Sequence, residues 1–427
     1  MELDLKRKIV AACKPEEPIP PEDPRYYDFD RAHLRGQPWR EWLANEIRFA
    51  SEPRAQLVTG LRGSGKTTEL EQLATILGEG YEVVMADVGA WLRDDEPITS
   101  EDLMLAMVLA IFPAGGPQGT GWVREYVQRA WKLLNSEVEI EGGIDSAKAK
   151  LTTDDTLFQR VARALRQRDG LREEVFAVLE RAAEDSRRDG CELVLVLDGA
   201  EKRATGETFT AARRTEFHNK WFGAFILRGR DLRPPVHTIY TVPPFMVRRS
   251  AEIHASFGSE LQFLPMVRVF DKKGGLHAPG VQAVVEALLR RVSCEHFEDP
   301  AIPAFLVAHS GGYLRDLLRF VHHMVHNVGD APRFRRKDAE FAVNRVRNAY
   351  GQALVREDKQ VLHHLHPDKR FPDDEASLLR MDTLLQGFKM FRYHNDQEWY
   401  DAHPLFWPLL DFDEPITWEQ AEAFARD

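Results

Sequence analysis

The sequence has little cysteine. Its 427 residues contain three, Cys13, Cys191 and Cys294, far apart and in no Cys-x-x-Cys pair. That excludes a disulfide framework and a cysteine zinc site, and it suits a reducing cytoplasm. Long apolar runs are also missing. The longest, Leu103 to Phe112, is about half of what a membrane span needs, so it reads as a buried helix and no membrane contact is expected. The first eight residues, Met-Glu-Leu-Asp-Leu-Lys-Arg-Lys, lack the apolar stretch of a signal peptide. Positive charge is in deficit as well. The formal net charge of −11 speaks against attraction of the whole molecule to nucleic acid or an anionic membrane. No internal repeat and no long low-complexity tract is present. What the chain does have is length, and 43% hydrophobic residues, enough for two or three domains with full cores.

Several organised stretches follow one another. Residues 1–28 read as a short helix and a Pro-rich tether (Pro15, Pro18, Pro20, Pro21, Pro24) that packs on the core or on a partner. Trp39, Trp42, Leu43, Ile47 and Phe49 then mark an amphipathic helix. Apolar strand candidates recur at 56–59, 82–86, 192–197, 236–241 and 261–264 with helical patterns between them, which implies a mostly parallel sheet covered on both faces. The long gap before the third strand predicts an insertion at about 100–187, with helices near 101–112, 122–135 and 156–187 and a hairpin-like piece at 136–146 around Gly142-Gly143. Residues 29–275 would form this nucleotide domain. Residues 276–350 read as a small helical lid. Residues 351–427 read as helix, helix, hairpin with an Asn395-Asp396 turn, a winged-helix-like pattern.

The most specific motif is Gly60-Leu-Arg-Gly-Ser-Gly-Lys-Thr67, followed by Thr68. It lies between a strand and a helix, which is the context of a phosphate-binding loop. Glycines Gly60, Gly63 and Gly65 let the backbone turn several N–H groups inward, with Ser64 between them. The helix N-terminus adds positive potential. Lys66 would reach the β- and γ-phosphates, Thr67 would ligate Mg²⁺, and Thr68 extends the cradle. Three further features narrow the chemistry. Leu193 to Asp198 places an acid at the end of a wholly apolar strand, where it would orient Mg²⁺. Glu201 follows three residues on, where a carboxylate could polarise water. Thr241 ends another strand before Pro243-Pro244, where its hydroxyl could position water or the γ-phosphate. Ser310-Gly-Gly-Tyr-Leu-Arg315 opens a lid helix whose arginine could fold onto phosphates. Each also has a plain reading: a capping acid, a strand end, a surface ion pair.

These residues resemble the AAA+ side of the phosphate-loop ATPases, most of all the origin-recognition and replication-initiator group and STAND-type signalling ATPases, over about residues 30–350. Gly60–Thr67 resembles Walker A and Leu193–Glu201 a Walker B of Asp-Gly-x-Glu type. Thr241 falls at the sensor 1 position and Arg315 at sensor 2. The resemblance implies an α/β fold with a parallel-sheet nucleotide domain, a helical lid and a C-terminal winged-helix-like domain. It implies ATP and Mg²⁺ as ligands and ATP hydrolysis as the activity. The absence of an Asn-Lys-x-Asp base-reading motif agrees with ATP. The resemblance extends to uncharacterised bacterial ATPases, several of them associated with genome defence. Two departures stand out. Gly199 follows Asp198 where these enzymes usually have a second acid, leaving Glu201 as the nearby base. No arginine lies between Ala251 and Glu260, where an arginine finger is expected; Arg248 and Arg249 precede that stretch. A slow, switch-like ATPase fits as well as a motor. A nucleotide-gated binding module with little turnover, or a DNA-associated initiator or transposition-type ATPase, remains the alternative.

The expected partner is a protein or effector, with a homo-oligomer also open. Residues 351–427 hold sixteen Asp/Glu against eight Lys/Arg. A surface with that balance repels a phosphate backbone. The tail aromatics Trp399, Tyr400, Phe406 and Trp407 would dock on the nucleotide domain or a partner, or fill the tail's own core. The cations Arg333, Arg335, Arg336, Lys337, Arg345 and Arg347 would contact nucleic acid or an acidic neighbour, or form local ion pairs. His322, His323 and His326 place two imidazoles on one helix face, as metal ligands can be, but no third ligand is evident.

Overall fold

The computed structural model describes residues 1–91, 98–111, 125–135, 140, 151, 155–166, 168–201, 211–370, 374–395 and 397–425. The chain forms two compact units. One gathers Met1–Trp39, Gly60–Glu69 and Leu264–Asp427; the other holds Arg40–Thr59 and Leu70–Phe263. Each has its own hydrophobic core.

The second unit is built on a five-stranded sheet: β1 (Ala55–Gly60), β2 (Tyr81–Asp87), β3 (Glu192–Asp198), β4 (His237–Thr241) and β5 (Gln262–Leu264), in the order β2-β3-β4-β1-β5. The pairings β2–β3, β3–β4 and β4–β1 are parallel. The sequence explains the placement. β3 carries an unbroken run, Leu193 to Leu197, and is buried on both faces, as an inner parallel strand must be. β2 carries the shorter apolar run Val83 to Ala86 between polar ends and lies at the edge, half-exposed. The registers Leu197↔Tyr240 and Asp87↔Asp198 bring the ends of β2, β3 and β4 to one edge of the sheet. Ligands of open parallel sheets bind outside that carboxyl edge.

Helix Ser100–Ile111 is the long apolar run, and its side chains from Asp102 to Ile111 are buried. Helix Glu125–Leu134 follows it in the insertion. The single helix expected at 156–187 is instead two, Asp155–Leu165 and Leu171–Arg188. The break is Gly170, left-handed at φ +75°; a side chain there would be strained. Apart from Ile140, the hairpin-like piece at 136–146 lies outside the described residues. Among the described residues no helix is long and apolar enough to cross a membrane.

The first unit is mainly helical. After the short helix Leu3–Ala12 come the helices Ala278–Leu289, Ile302–Ser310, Leu314–Asn327 and Arg336–Gly351. Then come Arg356–Asp368, Glu375–Gln386 and the antiparallel hairpin of β6 (Met390–His394) and β7 (Glu398–Ala402), the expected helix, helix, hairpin order. Trp399 stacks on Tyr393 with ring centroids 4.3 Å apart, and Trp399, Phe406 and Trp407 are buried in the unit's own core. The Pro-rich stretch, through Ile19, and the residues after it, through Phe29, Leu34 and Arg35, are buried in the same unit.

Candidate functional site

The phosphate loop begins where β1 ends and closes at helix Lys66–Leu77. Its shape depends on Gly63, at φ +82°, where a Cβ would collide with Arg315 Nε and lie 3.0 Å from the Tyr313 hydroxyl. The structure therefore brings Arg315, the lid arginine singled out by sequence, against the loop, within the first unit. Lys66 is buried, and its ammonium donates to the carbonyls of Gly60 at 3.1 Å and Leu61 at 3.2 Å. Thr67 lies in the first turn of the helix. The Thr68 hydroxyl accepts the Ile19 N–H at 3.2 Å, so the N-terminal segment reaches the cradle. Two polar atoms here are buried without a hydrogen-bond partner among the described residues, Ser64 Oγ and Arg315 Nε. Orphaned donors beside a glycine loop and a lysine suit an anion, because a phosphate oxygen would satisfy them.

The acidic residues form a separate group in the second unit. Asp198 ends β3 and is buried. Thr241 ends β4, and its hydroxyl accepts the Gly199 N–H at 2.9 Å and donates to Glu201 Oε2 at 2.6 Å, all buried. The proton that was expected to position water or phosphate directly is given to Glu201, which it orients. Glu71, on the helix after the loop, was missed from sequence. Its carboxyl is pushed up by burial first and then by the Asp198 charge. A site in which one carboxylate raises another would be relieved by a hard cation with oxygen ligands. The carboxylate of Asp198 is in itself chemically suited to Mg²⁺.

The remaining candidates are placed less suggestively. Arg249 pairs with Glu252 at 2.7 Å and lies over the Phe222 ring, a local role. Arg335 pairs with Asp338, Arg336 with Asp299 and Glu422, and Arg347 with Glu414. Half of the basic cluster is thus matched by acids of its own unit. Among the described residues no group of three His, Cys, Asp or Glu side chains is arranged to hold a metal ion, His322, His323 and His326 included.

Sequence reading also missed the groups that hold the loop from outside. Arg35, buried to 2% exposure, donates to Glu69 at 2.6 Å and to the Ser64 carbonyl at 2.9 Å. Tyr26 donates to Glu69 at 3.2 Å. The Tyr313 hydroxyl donates to the Arg62 carbonyl at 2.6 Å. Tyr313 stood inside the quoted Gly-Gly-Tyr-Leu-Arg motif, so a signal for it existed. Nothing local to Arg35 marks it.

No family model matches the chain, and no curated protein does. Among solved structures it is similar to the Walker-type ATPase PABY2304 of Pyrococcus abyssi, at 14% identity over 97% of this chain and 100% of that one, with a TM-score of 0.44. It is also similar to Cdc6p from Pyrobaculum aerophilum, at 11% identity over 97% and 96% of the two chains and a TM-score of 0.39. A third neighbour is the Aeropyrum pernix ORC2 protein in ADPNP–ADP complexes, at 9% identity over 91% and 93% and a TM-score of 0.38. At these identities and TM-scores the likeness carries no argument about chemistry. The parallel sheet with its loop and helices rests on the chain's own residues.

Proposed function

We propose that the chain binds ATP with Mg²⁺ and hydrolyses it slowly, and that the bound state is read by a protein partner as a switch. The observation that carries this reading is the phosphate loop itself: a left-handed Gly63 pressed against Arg315, with Ser64 Oγ and Arg315 Nε buried and unsatisfied. The loop amides and Lys66 would bind the phosphates, the lysine exchanging its present carbonyl partners for phosphate oxygens. Arg315 would tie phosphate occupancy to the lid helix it begins. Thr67 and Asp198 would hold Mg²⁺, which when bound neutralises phosphate charge. Glu201, oriented by the Thr241 hydroxyl, would accept the proton of the attacking water.

A second reading, a nucleotide-gated binding module with little turnover, is favoured by one feature. The Glu201 carboxylate already has a lone pair engaged by Thr241. A DNA-associated role draws less support, since Arg335, Arg336 and Arg347 are paired with acids.

The test is equilibrium binding of Mg·ATP to the full chain and to Lys66→Ala. The wild type is expected to bind, and the variant to bind about 100-fold more weakly, as loss of a charge-assisted phosphate contact implies. No binding by the wild type, or equal binding by the variant, would overturn the proposal.

A further inference from the structure

A loop that turns its N–H groups inward must turn carbonyls outward, and those carbonyls need donors. Two of them have donors from opposite directions in sequence. The Arg62 carbonyl accepts from the Tyr313 hydroxyl at 2.6 Å, and the Ser64 carbonyl from the Arg35 guanidinium at 2.9 Å. Both donors are buried, at 0% and 2% exposure, so neither is a casual surface contact. Each is held in turn. Arg35 is fixed by Glu69 at 2.6 Å and lies over the Phe29 ring at 5.1 Å. The Tyr313 ring stacks on Phe388 at 5.6 Å and meets Phe391 at 5.5 Å, in the C-terminal part of the same unit.

We infer that Tyr313 and Arg35 are positioning residues that hold the phosphate loop in its nucleotide-accepting shape, and that through the Tyr313 ring the C-terminal aromatics Phe388 and Phe391 set nucleotide affinity. The inference rests on the ATP-binding reading above. It assigns no chemistry to either residue. Both act by holding the Arg62 and Ser64 carbonyls, so that the turn of the loop, closed by the Ser64 N–H on the Leu61 carbonyl at 3.1 Å, is set before the ligand arrives. The Arg35 fork meets a carboxylate and a carbonyl with two separate nitrogens in fixed planar geometry, which the single nitrogen of a lysine does not reproduce.

The experiment is Mg·ATP binding and steady-state hydrolysis by the full chain, compared with Tyr313→Phe, Arg35→Lys and Phe391→Leu. Tyr313→Phe removes one hydroxyl and leaves the ring packing intact. It is expected to weaken Mg·ATP binding about tenfold, the value of one hydrogen bond, and to raise KM while leaving kcat unchanged. Arg35→Lys should act in the same direction, and Phe391→Leu should weaken binding from a residue that the ligand does not touch. A purely structural role would lower the thermal midpoint of the nucleotide-free protein without this split. Wild-type affinity in Tyr313→Phe, with the wild type itself binding Mg·ATP, overturns the inference and leaves the ATP reading standing. Absence of binding by the wild type overturns both.

Discussion

The two units divide the candidate chemistry by charge. The first holds the phosphate loop with its cations Lys66, Arg315 and Arg35; the second holds the acids Asp198, Glu201 and Glu71 with the Thr241 hydroxyl. The means of support differ as well. In the first unit the loop is pinned through its backbone, by side chains that come from residues 26–35 and 313–315. In the second, a hydroxyl at the end of one strand orients a carboxylate just beyond its neighbour, so regular sheet geometry does most of the placing. On the proposed reading the contrast gives binding and turnover separate scaffolds, so lesions in the two should have separable effects.

The largest expected effect is at the loop. In Gly63→Ala the new Cβ would sit at a positive φ and collide with Arg315, so Mg·ATP binding should weaken about 100-fold or more. Titration calorimetry checks this. Binding retained within about threefold would mean that the loop tolerates another shape and that the contrast is misplaced.

A second effect, on stability and not on binding, is expected deeper in the first unit, at the residue after Arg315. Asp316 is fully buried, donated to by His403 Nε2 at 2.9 Å, Arg319 at 2.7 Å and the Tyr350 hydroxyl at 2.9 Å. The Leu405 N–H points to His403 Nδ1, so the ring is neutral with its proton on Nε2. Burial alone would raise the Asp316 carboxyl, but the hydrogen bonds donated by His403 and Arg319, with the Arg319 cation, hold it below its ordinary value of 3.8. Burial also pulls His403 below 6.5. In both cases the unfolded chain binds more protons on acidification, so stability is lost as pH falls, first below about 6.5 through His403 and then below about 4 through Asp316. Urea unfolding against pH should show this acid limb. Asp316→Asn should lower stability at neutral pH by about 2–4 kcal/mol and flatten the part of the limb below about pH 4. An unchanged limb would remove this cluster as the anchor of the lid helix.

Much of the second unit was legible in the sequence, for physical reasons. Parallel strands buried on both faces need unbroken apolar runs, so Leu193–Leu197 could be read directly, and Asp198 at its end could be read with it. Gly60–Thr67 was legible because a phosphate loop needs glycine at fixed places. The break at Gly170 was not foreseen, since one apolar periodicity runs through both helices. The pinning of the loop was out of reach. Arg35 and Glu69 are 34 positions apart and Tyr313 and Arg62 are 251 apart, and no spacing rule links such pairs. The tail aromatics could be assigned to a core only once Trp399 and Tyr393 were seen to stack.

The central claim is that binding and turnover rest on different residues, and Glu201→Gln tests it most directly. Mg·ATP affinity and phosphate release would be measured on the same preparation of the full chain. The account predicts affinity within about twofold of the wild type and phosphate release slowed about 100-fold or more, the usual share of a general base. Unchanged phosphate release, or loss of ATP binding together with turnover, would contradict it.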